Sequence, residues 1–128
     1  MITRYPVLEK LSTLAGIYKS DDGVFELELR RNGYDYLLLT KGGPSRSQLY
    51  GVIGVAGKNL ELHASMGLPN IITFSWPHAL EETSTILEIC FQEVDNNLSI
   101  NFRFEGKKLT FSLALGGVNK SNYVLRKA

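Results

Sequence analysis

The sequence predicts an all-β fold: an antiparallel up-and-down meander barrel of about 8–10 strands with one short N-terminal helix. Three observations predict it. The first is a period of two. Phe25, Leu27 and Leu29 alternate with Glu26, Glu28 and Arg30. Leu98, Ile100, Phe102 and Phe104 alternate with Ser99, Asn101 and Arg103, and Leu109, Phe111, Leu113 and Leu115 with Thr110, Ser112 and Ala114. Side chains two apart share one face of a strand, so each run is a strand with one face buried. The second is turn chemistry recurring at the short spacing of all-β folds, which makes sequence neighbours spatial neighbours. The third is the lack of crossover helices, which excludes a parallel α/β sheet. A flat meander this long leaves two open edges; closing it removes them, so a barrel ranks ahead of a two-sheet sandwich.

The elements follow in order. Pro6–Leu14 is the one helical candidate: Val7, Leu11 and Leu14 fall at i, i+4 and i+7, Pro6 opens the first turn and Gly16 ends the last. So short a helix needs packing to persist. Strands are expected over Gly16–Ser20 and Val24–Arg31, joined through Asp21-Asp22-Gly23. Asn32-Gly33 reads as a two-residue hairpin turn pairing Arg31 with Tyr34. That register sets Arg30 against Asp35 as a charge pair, Leu29 against Tyr36, Leu27 against Leu38 and Phe25 against Thr40. Lys41–Arg46 is a loop. Ser47–Ala56 is a strand whose Gly51 and Gly54 suggest a bend. After the Gly57-Lys58-Asn59 turn, strands are expected over Leu60–Ala64, Ile71–Trp76, Ser84–Val94, Leu98–Phe104, Leu109–Leu115 and Tyr123–Arg126. Residues 1–128 read as a single domain, with 1–15 a helical segment packing on or capping the barrel.

Composition narrows the function. A chain of 128 residues that is 44% hydrophobic and 21% charged is an ordinary folded domain. Its 14 Lys and Arg balance 13 Asp and Glu, so no bulk attraction to nucleic acid or to an anionic membrane is expected. Cys90 is the single cysteine, which excludes an internal disulfide. No signal peptide or membrane span is visible, and the cytoplasm is the expected location.

After its helical segment the chain carries Leu14-Ala15-Gly16-Ile17-Tyr18, and Arg126 stands near its end. In this it resembles the calycin-like meander barrels: lipocalins, fatty-acid-binding proteins and avidins. These open with a helical turn and a Gly-x-Trp, and a late Arg packs across that Trp; here Tyr18 stands in the Trp place. The two helices that fatty-acid-binding proteins insert after the first strand have no room in Asp21-Asp22-Gly23. The resemblance implies a barrel able to hold a small apolar ligand and carries over no catalytic residue.

The expected inward residues, among them Phe25, Leu27, Leu29, Tyr36, Leu38, Leu60, Leu62, Phe74, Trp76, Leu87, Ile89, Phe91, Ile100, Phe102, Phe111 and Leu113, are nearly free of ionisable groups. An enzyme inside the barrel would need acids, bases or donors pointing inward, and Tyr36 and Trp76 offer the obvious inward polar atoms. His63 alternates with Leu62 and Ala64 and is expected to face solvent. His78, beside Glu81 and Glu82, lacks metal-ligand spacing, and no metal or cofactor is expected. Cys90 reads as an inert packed thiol. The Gly42-Gly43-Pro44-Ser45 run lacks the ending of a phosphate loop.

Two surfaces stand out. Leu37 and Leu39 face outward, opposite Glu28 and Glu26, with Val52 beside them. They serve either as the docking place of the helix or as a partner interface, with a homodimer the named case. The longer loops, including Ser65–Asn70, collect at one end of the barrel. The leading expectation is a non-enzymatic binding protein that takes a small apolar or amphipathic ligand through that end, with Tyr36, Met66, Leu68, Phe74, Trp76, Phe91 and Phe102 as the ligand-binding residues. One alternative is a protein–protein interaction module of inhibitor or immunity type, favoured by a solid core. Another is a barrel isomerase or cyclase using Tyr36 as an inward donor.

Overall fold

The computed structural model describes residues 6–42, 48–65, 71–77, 87–116 and 119–128. Helix α1 (Pro6–Leu14) is followed by ten strands: β1 (Gly16–Lys19), β2 (Glu26–Asn32), β3 (Asp35–Lys41), β4 (Tyr50–Ala56), β5 (Asn59–Ser65), β6 (Ile71–Trp76), β7 (Leu87–Glu93), β8 (Leu98–Glu105), β9 (Lys108–Leu115) and β10 (Asn119–Lys127). Each strand pairs antiparallel with its neighbours in sequence, and β1 pairs with β10, so the meander closes into a barrel and the sandwich is excluded. Two junctions are thin. Among the described residues β6 meets β7 at one register pair, Ser75 with Gln92, and β1 meets β10 at Tyr18–Lys127 and Lys19–Arg126.

Helix and strand placements match the period of two, with shifts at the ends. β10 starts at Asn119 rather than Tyr123 because Asn119 to Asn122 pair with Leu115 to Ser112. β4 starts at Tyr50 rather than Ser47: Leu49 is buried and pairs with Thr40 outside the regular ladder, its amide donating to the Thr40 hydroxyl at 2.6 Å. The first hairpin corrects the expected register. Gly33 and Tyr34 form the two-residue turn, with Gly33 at φ 66°, the position where a hairpin of this type takes glycine. Asn32 therefore pairs with Asp35, Arg31 with Tyr36, Leu29 with Leu38 and Leu27 with Thr40. The shift is of two residues, so every side chain keeps its face while its partner changes. Arg30 lies opposite Leu37, and its guanidinium pairs with Glu28 on its own strand at 2.9 Å, not with Asp35.

The inward faces form one core. Tyr18, Leu27, Leu38, Ile53, Leu60, Leu62, Phe74, Phe91, Phe102 and Phe111 are essentially without solvent contact. Rings stack in a column: Phe25 on Tyr123 at 4.5 Å between centroids, Phe25 on Phe111 at 6.0 Å, and Phe111 on Phe102 at 5.2 Å. Where β4 meets β5, Gly51 lies opposite Ala64, and a Cβ at Gly51 would stand 2.7 Å from the His63 carbonyl oxygen. Among the described residues no buried side-chain nitrogen or oxygen lacks a hydrogen-bond partner.

Helix α1 closes one end of the barrel. Its stripe of Val7, Leu11 and Leu14 is buried in the core, and Leu11 is sealed completely. Leu11 lies beside Leu27, Leu29, Leu38, Ile53, Ile89, Phe102 and Phe104, all inward strand residues. Three bonds from the barrel hold the helix backbone. The Tyr18 hydroxyl donates to the Leu14 carbonyl at 2.5 Å, the Tyr36 hydroxyl to the Leu8 carbonyl at 3.2 Å, and the Lys127 ammonium to the Thr13 carbonyl at 3.3 Å. The Tyr18 and Lys127 groups satisfy carbonyls at a helix C-terminus, where a cation is also favourable.

Candidate functional site

The calycin-type pairing of a late arginine with the first-strand aromatic does not form. Tyr18 points inward, edge-on to Phe104 at 5.8 Å, while Arg126 is exposed and reaches Asp21 at 3.4 Å. The cationic residue paired with Tyr18 is Lys127, whose stem would meet a Cβ at Gly16.

The described residues expected to bind ligand are spread through the barrel interior. Tyr36 is buried at the helix-closed end and bonded to α1. Burial pushes its phenol above the ordinary tyrosine range, against smaller opposing effects of Arg31 and Ser12. Trp76 is half-buried and packs on the core, and Phe74 lies fully inside on the same strand. Phe91 and Phe102 meet edge to face at 6.3 Å between centroids in the interior. Met66 and Leu68 lie outside the described residues, as do His78, Glu81 and Glu82. Among the described residues, the interior space lined by Leu11 and its seven neighbours amounts to about 10 Å³. That is near the limit for one water, and its lining is wholly apolar.

Cys90 lies opposite Asn101 on the outer side of β7 and is half-buried. Burial, then the Glu88 charge, pushes its thiol up, which lowers the thiolate fraction a nucleophile needs. On the outer face of β8–β10 the small side chains of Ser99, Ser112 and Ala114, with Asn101 and Asn122, leave a depression of about 270 Å³. There the Ser112 hydroxyl donates to Asn122 Oδ1 at 2.7 Å.

Sequence periodicity placed Leu37 and Leu39 outward and left open whether the helix covers them. It does not, since α1 lodges in the barrel end. The ladder builds a block of four apolar side chains on this face. Leu37 sits opposite Val52 and Leu39 opposite Tyr50, while Leu37 and Leu39 are neighbours along β3, and Tyr50 and Val52 along β4. Leu37, Leu39 and Val52 are half-buried, and Tyr50 is 66% exposed. One row continues through Ser65 to Ile71, itself 71% exposed. The other continues through His63 to Thr73.

Charges frame the block. On β2, Glu28 lies opposite Leu39 and Arg30 opposite Leu37. The Glu28 carboxylate hydrogen-bonds the Arg30 guanidinium and raises its proton affinity. Lys19 reaches Glu26 at 3.7 Å, and Glu26 pairs across the ladder with Lys41. On β5, His63 Nε2 is 3.2 Å from Glu61 Oε1, and its Nδ1 is 3.2 Å from the Thr73 hydroxyl. This chain is exposed on a paired sheet whose backbone amides are committed to the ladder. Tyr50 and Ile71 were not singled out by the sequence; that they complete a continuous surface depends on the register of three hairpins.

No family model, curated protein or solved structure matches this chain. Among the described residues no helix is long and apolar enough to cross a membrane.

Proposed function

We propose that this protein is a non-enzymatic interaction module that works through the outer face of β2–β5 and binds other protein surfaces there. The observation that carries the reading is the block of Leu37, Leu39, Tyr50 and Val52, left uncovered by the helix and framed by Glu28, Arg30 and His63. An apolar centre inside a polar rim is the anatomy of a protein interface. The small interior space beneath the helix, among the described residues, favours the same reading. Pockets for small molecules run to about 300–1,000 Å³, against the 10 Å³ beside Leu11. The Tyr36 hydroxyl, the donor an interior enzyme would use, bonds the helix instead.

The test pairs two measurements on the folded protein. A panel of fatty acids, retinoids and aromatic amphiphiles is screened by thermal shift and native mass spectrometry. Affinity capture from the expressing cells then compares the wild type with Leu37→Asp and Val52→Asp. The reading expects no stoichiometric ligand and a set of captured proteins lost in both variants. A stoichiometric apolar ligand, with capture unchanged by the variants, overturns it.

The carrier reading has one specific support, the ring column of Tyr123, Phe25, Phe111 and Phe102, which runs into the barrel from the end opposite the helix. It also agrees with the calycin-like resemblance of a closed meander opened by a short helix. A ligand there would have to displace packed side chains. It would therefore shift the Phe111 and Tyr123 ring resonances, which is its distinguishing signature.

A further inference from the structure

We infer that the occupant of this face is a second copy of the chain, joined by a two-fold axis that lies in the interface and runs across the strands. The inference rests on the reading that the outer face of β2–β5 is the working surface, and it names the partner. The argument is the order of side chains in the ladder. Four rows cross the strands. From the helix-closed end they hold Asn32, Asp35 and Glu61; then Arg30, Leu37, Val52 and His63; then Glu28, Leu39, Tyr50 and Ser65; then Glu26 and Lys41.

A two-fold axis midway between the two central rows reverses the strand direction and leaves the strand order unchanged. It therefore lays each central row on the other. Leu37 meets the second copy's Leu39, and Val52 meets the second copy's Tyr50. Arg30 comes over the second copy's Glu28, and Asp35 over the second copy's Lys41. Each contact occurs twice, as an isologous interface requires. Every charge on β2 and β3 in these rows, Glu26 excepted, finds the opposite sign across the axis, where the wrong sign would oppose docking. A net charge of +1 leaves the copies without bulk repulsion. The ring closes β1 on β10, and β2–β5 are laddered on both sides, so this region offers a face and not an edge.

The size of the face sets the strength. Three strand spacings of about 4.8 Å and six residue spacings of about 3.3 Å give a patch of roughly 14 by 20 Å. That is about 280 Å² in plan on each copy, smaller than a standard specific interface, so the dimer is weak and concentration-dependent.

Sedimentation velocity from micromolar to near-millimolar protein, on the full chain, tests this. The wild type is expected to pass from monomer to dimer and to dissociate as salt rises. Arg30→Glu and Glu28→Arg each place like charges across the axis twice and should weaken the dimer at least tenfold. The double variant restores both pairs and should return to within a few-fold of wild type. Rescue by the double swap is an effect that general surface damage does not produce. Leu37→Asp should be monomeric throughout, with circular dichroism confirming the fold in each variant.

A wild type that stays monomeric, or a dimer indifferent to these substitutions, overturns the inference. If the wild type is monomeric while Leu37→Asp loses a captured protein of another kind, the face stands and the second copy falls. If neither self-association nor capture responds, both readings fall.

Discussion

Leu11 is the most deeply buried side chain of α1, and Leu11→Ala measures how far the closed end of the barrel depends on it. The side chain has no solvent contact and lines a small apolar space together with inward residues from β2, β3, β4, β7 and β8. Truncation removes three methyl or methylene groups, or about 2.4 kcal/mol of transfer free energy at ~0.8 kcal/mol each. It also leaves a cavity that merges with the existing 10 Å³. If about 60 Å³ stays open, the cavity adds roughly 1.4 kcal/mol at ~24 cal/mol per Å³. The expected loss is therefore about 3–4 kcal/mol, a large share of a typical domain's 5–15 kcal/mol, and roughly 10–15 °C in Tm. Urea unfolding and calorimetry read the loss directly. Thr13→Ala, on the exposed side of α1, serves as control and should stay within ~0.5 kcal/mol. The enlarged space is wholly apolar and should take a small arene, so benzene should raise the Tm of Leu11→Ala and not that of the wild type. A loss below about 1 kcal/mol would refute the assignment of Leu11 as a sealed core residue.

Other outcomes follow from particular contacts. Tyr18→Phe removes the donor to the Leu14 carbonyl and should cost about 1–2 kcal/mol by denaturant titration, because that carbonyl stays buried. Burial holds the Tyr18 phenol above its ordinary value, so the unfolded chain loses that proton first; stability is full below about pH 10 and falls as pH rises beyond it. Alkaline unfolding followed by tyrosinate absorbance should therefore be steep in the wild type and shallower in Tyr18→Phe. Gly51→Ala should cost about 1–3 kcal/mol, since its Cβ would press on the His63 carbonyl and the Ala64 Cβ. Gly54→Ala should cost much less in the same assay, because the Cβ there meets a carboxylate of Asp35 that can turn aside. The Asp22 carboxylate accepts from the Ser20 hydroxyl and the Val24 amide, which hold it below the usual range. That support is present at neutral pH and lost as pH falls below about 4, which an NMR titration of the Val24 amide would follow.

The parts of the fold carried by period were legible in the sequence; the parts carried by register were not. Phe25, Leu27 and Leu29 announce a buried face whatever lies opposite, because alternation is local. Asn32-Gly33 announced a turn, yet its position was off by one residue because Gly33 satisfies the positive φ of either alignment. The face survived that error and the partners did not, so an expected Arg30–Asp35 pair became an Arg30–Glu28 pair within one strand. The helix is similar. Val7, Leu11 and Leu14 declared an apolar stripe, but nothing local says whether it covers Leu37 and Leu39 or plugs the barrel. That choice is made by Tyr18, Tyr36 and Lys127, whose bonds to α1 span up to 114 residues of sequence. The candidate face was half visible for the same reason: Leu37 and Leu39 break the polar side of an alternation, whereas Tyr50 and Ile71 gain meaning only once β3 to β6 are aligned.

The two thin junctions, β6 to β7 and β1 to β10, divide the ring into a six-strand arc and a four-strand arc. Each arc is held by near-continuous hairpin ladders; the arcs are held to each other chiefly by side chains and by the helix end that Lys127 anchors. Amide hydrogen exchange should therefore be slowest in the middle of β8 and β9 and fastest at the rims of the junctions, with the arcs opening as separate cooperative units. A molecule wedged into either junction would act on the whole cylinder at once, spreading it as a split ring spreads, without unravelling a single hairpin.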